Sequence, residues 1–61
     1  MVNLTAKELT AIGDHLAAED NLIRKYRMYA GVTQDSQLQQ KYEDIAQRHQ
    51  SHFNTLMGHL S

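Results

Sequence analysis

No proline interrupts this chain, and its apolar and half-apolar residues recur at alternating steps of three and four in two long runs. The first run is Leu9, Ile12, Leu16, Ile23, Tyr26 and Ala30; the second is Leu38, Tyr42, Ile45, His49, His52, Leu56 and His59. That spacing marks one face of an α-helix. With Ala, Leu, Gln and Glu plentiful, a composition that suits long helices better than strands, it predicts an all-α chain. Thr5-Ala6-Lys7-Glu8 has the pattern of a capping box, which marks the start of the first helix, and Leu4 and Leu9 occupy the positions of a hydrophobic staple. Gly31 predicts its stop. Val32 to Asp35 holds no strong helix former, while Thr33, Asp35 and Ser36 each offer a capping oxygen, and Ser36 with Gln39 has the spacing of a second capping box.

The expected organisation is a single domain over 1–61, with a helix at about 5–30, a turn at about 31–35 and a helix at about 36–59. So short a connection forces an antiparallel hairpin of two helices, each about 37 Å long. The hairpin alone encloses little core. A chain of 61 residues buries only about 60% of its unfolded surface, and with no cysteine it lacks the disulfide route to stability. Self-association or a metal is what remains. Apolar surface extends past the seam through Leu22, Tyr29, Ala46, Phe53, Met57 and Leu60, and pairing two hairpins would bury it. The expectation is a homodimer, an antiparallel helical hairpin doubled into a four-helix bundle.

The formal net charge is −1, and of the basic residues only Arg24, Lys25 and Arg27 lie close together, as a solvated helix face, so a nucleic-acid partner is not expected. Apolar stretches of about four residues are too short for a membrane span or a signal-peptide core. With no Gly-rich phosphate loop and no cysteine nucleophile, the chain is expected not to be an enzyme.

Ionisable residues fall into the seam. Glu19 fills the gap between Leu16 and Ile23, and in a hairpin turning near residue 33 or 34 facing residues have numbers summing to roughly 67 or 68. Glu19 then faces His49, Leu16 faces His52, Ile23 faces Ile45, Tyr26 faces Tyr42 and Leu9 faces His59. A buried carboxylate must be neutralised, paired or coordinated. One reading is a Glu–His hydrogen-bond pair that fixes register. Another is a divalent-metal site built from Glu19, His49 and His52, since histidines three apart on one helical face can chelate. A third is a rotation of the helix that points the histidines to water. His15, one turn before Glu19, is a further candidate ligand, with a surface histidine beside Asp14 as the alternative; His59 reads as an end residue suited to the helix dipole. Tyr26 and Tyr42 read as core aromatics.

The segments Glu19-Asp20-Asn21-Leu22-Ile23-Arg24-Lys25-Tyr26 and Ile45-Ala46-Gln47-Arg48-His49-Gln50-Ser51-His52 resemble half of a ferritin-like bundle, in which a Glu on one helix is followed by Glu-x-x-His on the next. More closely, the run from Leu4 to about Met57 resembles the coat F domain of spore coat proteins. The resemblance implies a structural protein with a ferritin-like hairpin that dimerises. It would sit in the cytoplasm of a sporulating cell or in the spore coat, with other coat proteins as partners. By position Glu19 corresponds to the first-helix carboxylate and His52 to the motif histidine, but His49 stands where the bridging Glu would be. An imidazole binds one metal through one nitrogen and brings no negative charge, so the substitution disfavours di-iron oxygen chemistry. The resemblance leaves zinc or iron binding, or a metal-free relic held by hydrogen bonds.

Overall fold

The structure, a computed structural model, describes residues 4–60. Helix α1 spans Ala6–Val32 and helix α2 spans Ser36–Gly58, and among the described residues there is no strand. The two lie antiparallel as a hairpin.

At the start of α1 the capping box is complete: the Thr5 Oγ1 accepts from the Glu8 backbone N–H at 3.1 Å, and the Glu8 Oε1 accepts from the Thr5 N–H at 3.2 Å. Leu9, next along, is 53% exposed. Gly31 does not stop the helix. It keeps an ordinary negative φ, so it provides no left-handed cap, and α1 runs one residue further. The end comes at Thr33, whose backbone turns extended while its N–H donates to the Tyr29 carbonyl at 3.1 Å.

The connection is three residues, Thr33 to Asp35. Thr33 Oγ1 accepts from the Asp35 N–H at 3.3 Å, and Asp35 Oδ1 accepts from the Leu38 N–H at 3.0 Å. Asp35 is therefore the cap of α2; Ser36 is its first helical residue and takes no part in a second capping box. Gln39 then closes the turn, its Nε2 donating to the Ala30 carbonyl at 3.0 Å and satisfying one of the acceptors a helix end leaves free.

Between the helices, three apolar side chains are buried: Ile23 at 5% exposure, Ala30 at 4% and Ala46 at 2%. The fourth buried residue is charged, Glu19 at 6%. Around them Ile12, Leu16, Leu22, Tyr26, Tyr29, Tyr42, Ile45, Phe53 and Leu56 are half-buried. Ala46, expected on the outer flank, belongs to the seam. Leu9, expected in the seam, does not: it sits about 80° round the helix from Glu19, because steps of three and four over ten residues do not close on 3.6 residues per turn, while His59, the end residue, caps α2 and is exposed. The Cα extents of 46 × 16 × 10 Å describe a single layer of two helices. Such a layer leaves Met28, Val32, Leu38, Met57 and Leu60 exposed. No helix among the described residues is long and apolar enough to cross a membrane.

Candidate metal centre

The centre begins with one carboxylate placed by helical period on the inner face of α1, two turns before Tyr26. From α2 the residue at its level is His49, and the two meet: His49 Nδ1 lies 2.7 Å from Glu19 Oε2. This pair and the Tyr26–Tyr42 contact, with ring centroids 6.0 Å apart, share the register sum of 68. The other Glu19 oxygen is approached from both sides. His15 Nε2 stands 3.3 Å from Oε1 and His52 Nδ1 stands 3.9 Å from it. His15 reaches Oε1 from the same helix, one turn earlier; His52 reaches it from α2, three residues beyond His49.

Glu19, His49 and His52 each present a donor atom, and these atoms lie within 4.8 Å of one another. They line, with His15, Thr55 and Leu56, an open pocket of about 530 Å³ on one face of the hairpin. The burial is graded. Glu19 is sealed in the seam, His49 keeps 23% of its side-chain exposure, and His15 and His52 keep 56% and 65%. His52 was expected in the seam facing Leu16; it lies instead at the rim, because a step of three from His49 carries it about 60° toward the outer face.

Burial pushes the Glu19 carboxyl up. The hydrogen bond and charge of His49, the hydrogen bond of His15 and the charge of His52 outweigh burial and hold the group below its ordinary value of 4.5. Glu19 is therefore an anion at neutral pH, with acceptor capacity directed at imidazoles. Among the described residues no buried side-chain nitrogen or oxygen lacks a partner. The seam thus carries a charge without leaving an unsatisfied group, the condition under which a buried ion is tolerated.

Tyr26, half-buried in the seam as a core aromatic, backs His49 from the side away from the pocket's lining. Its ring stacks on His49 at 6.2 Å between centroids and 11° between planes, and it packs edge-on against Tyr29 at 5.9 Å. Tyr29 and Tyr42 complete the cluster at 5.4 Å. The sequence signal was present: Tyr26 follows Glu19 by two helical turns and so must lie beside whatever Glu19 faces. The basic run Arg24, Lys25 and Arg27 is exposed, a solvated face as expected. Lys25 Nζ sits 5.9 Å from the centroids of both Tyr26 and Tyr29, at the outer limit of a cation–π contact. Arg24 pairs with Asp20 at 3.1 Å and Arg27 Nη2 donates to Gln50 at 3.4 Å, exposed contacts of small energy.

Chemically, an anionic carboxylate among imidazoles offers a divalent cation of the zinc type the oxygen and nitrogen donors it prefers. Without a metal the same groups form a register-fixing hydrogen-bond cluster. Comparison with protein-family models, with curated proteins and with solved structures returns no match.

Proposed function

We propose that this chain is a small non-enzymatic structural module that binds a divalent metal, and that it works as a homodimer in which two hairpins form a four-helix bundle. The observation that carries the metal reading is the convergence of Glu19, His49 and His52 on one locus from two helices, with the carboxylate buried and anionic. Dimerisation is supported by the thinness of the layer, with Met57 and Leu60 exposed and Leu22, Tyr29 and Phe53 half-buried beside the seam. The resemblance of the run from Leu4 to about Met57 to the coat F domain supplies the setting, a spore coat in which the bundle presents helical surfaces to other coat proteins.

The deciding experiment is metal analysis of untagged protein after incubation with zinc or iron and removal of the unbound ion. The expected result is retained metal in the native chain and its loss in Glu19→Gln and His52→Ala. Retained metal near zero in the native chain rejects the reading. Sedimentation at micromolar concentration tests the dimer, which a folded monomer would overturn.

A further inference from the structure

The four side chains around the centre are arranged as two clips. On α1, His15 and Glu19 are four apart; on α2, His49 and His52 are three apart, and both spacings put their members on one helical face. The clips face each other across the hairpin, and all four residues line the same pocket. We propose that His15 is the fourth ligand of this centre, closing a mononuclear site of three imidazoles and one carboxylate within a single hairpin. This rests on the metal reading above and extends it by naming the coordination sphere, the class of metal and the number of chains required.

His15 stands outside the group of donor atoms that lie within 4.8 Å of one another, and it is tied to that group through Glu19, so its exposed ring must swing toward His49 and His52 to close the sphere. Ligands about 2.0–2.1 Å from a tetrahedral ion stand about 3.4 Å from one another. The His15 Nε2 to Glu19 Oε1 separation is 3.3 Å, already that edge, and His52 Nδ1 lies 3.9 Å from the same oxygen. His49 approaches the other oxygen, Oε2, and at 2.7 Å it is held there by a hydrogen bond closer than a tetrahedral edge. Placing a cation between them asks the pair to separate by about 0.7 Å. The exposed positions of His15 and His52 provide both the freedom to close on an ion and its path of entry.

The donor set selects the metal. Three nitrogens and one oxygen suit zinc, cobalt, nickel or copper, whereas magnesium and calcium want oxygen donors and more of them. With a single carboxylate the site holds one negative charge, too few to balance a second divalent ion. With four protein ligands the site is closed in the manner of a structural zinc centre, leaving no position for a reacting water. Its consequence would be a covalent-like staple joining α1 to α2 on the open side of the hairpin, away from the turn.

Cobalt(II) titration of apo, untagged protein tests this, because the intensity of the visible d–d bands separates four-coordinate from six-coordinate cobalt. The expected result is one cobalt per chain with strong four-coordinate bands, competed off by zinc. His15→Ala should shift those bands, as water takes the vacated position, and bind at least tenfold more weakly, with helical content unchanged because His15 is an exposed side chain. If His15→Ala keeps the native spectrum and an affinity within twofold, His15 is not a ligand, although the metal reading stands. A stoichiometry of one cobalt per two chains overturns the single-hairpin sphere and places the missing ligand on a second copy. If native protein binds neither cobalt nor zinc, the metal reading itself fails and this inference fails with it.

Discussion

The two ends of the hairpin hold together by different means. From Ile23 and Ile45 toward the turn, the seam is apolar and aromatic: Ile23 and Ala30 are buried, Tyr26, Tyr29 and Tyr42 pack on one another, and the Gln39 amide ties α2 to the Ala30 carbonyl. From Glu19 and His49 toward the free ends, the largest buried side chain is a carboxylate, and it is held by imidazoles rather than by packing. Leu9, Met57 and Leu60 at that end are substantially exposed. The turn half likewise exposes Met28, Val32 and Leu38, so the contrast lies in what is buried: apolar side chains in one half, a charged one in the other.

Substitutions in the two halves should therefore differ in size. Ile23→Ala removes the principal buried aliphatic side chain and should cost about 3 kcal/mol, enough to unfold a chain of this length. Leu16→Ala, at a half-buried position of the open half, should cost about 1 kcal/mol. Urea unfolding followed by helical circular dichroism measures both, and equal losses would dissolve the contrast.

Zinc should act in the other direction and in the other half. At a hundredfold excess over its dissociation constant it should add about 2.7 kcal/mol of stability. Amide hydrogen exchange should show the added protection concentrated around residues 12–19 and 49–56, and uniform protection along both helices would contradict a staple at that level. Because imidazoles must be neutral to bind metal, the gain should vanish on acidification below about pH 6.

A smaller gain is expected near the turn. Gly31 is helical with an ordinary φ, and a methyl group added there meets no atom within 4 Å. Gly31→Ala should stabilise by about 0.5–1 kcal/mol, read as a higher melting temperature. A decrease would mean that another chain covers this surface.

The smallest expected effect is on acid unfolding of the metal-free protein. Because the Glu19 pKa is held below 4.5 in the folded chain, its contribution to stability is fully present above 4.5 and is lost as pH falls through the lowered value. Native protein should thus lose stability over that interval more steeply than Glu19→Gln, which has no proton to take up there. Parallel acid titrations of the two would contradict the lowered pKa.

Much of the hairpin could be read from the residues. The 3–4 period, the Thr5–Glu8 capping box and the break near Thr33 define two helices, and a short turn leaves few registers, so Glu19 could be paired with His49 by counting alone. Counting was less reliable at a distance from the turn. A rotation of 100° per residue leaves Leu9 and His52 off the seam although each continues its series, and it brings Ala46 into the seam although it was assigned to the flank. Gly31 misled because glycine in a helix costs only about 1 kcal/mol, which neighbouring contacts absorb. The approach of His15 to Glu19 was legible as a spacing of four, but its distance depends on a side-chain rotamer that no pattern of residue types determines.

The Thr33–Asp35 connection has a bearing on how the chain reaches this structure. Its hydroxyl and carboxylate bonds organise three residues locally, so closing the loop costs little chain entropy and proceeds on a timescale of roughly 10–100 ns. Pairing is then favoured to begin beside the turn, where Gln39 meets Ala30, and to advance through the tyrosines before Glu19 is enclosed. In that order the carboxylate would keep its water until the aromatic stretch had aligned His49 opposite it, and the charge would enter the seam with its partner already in place.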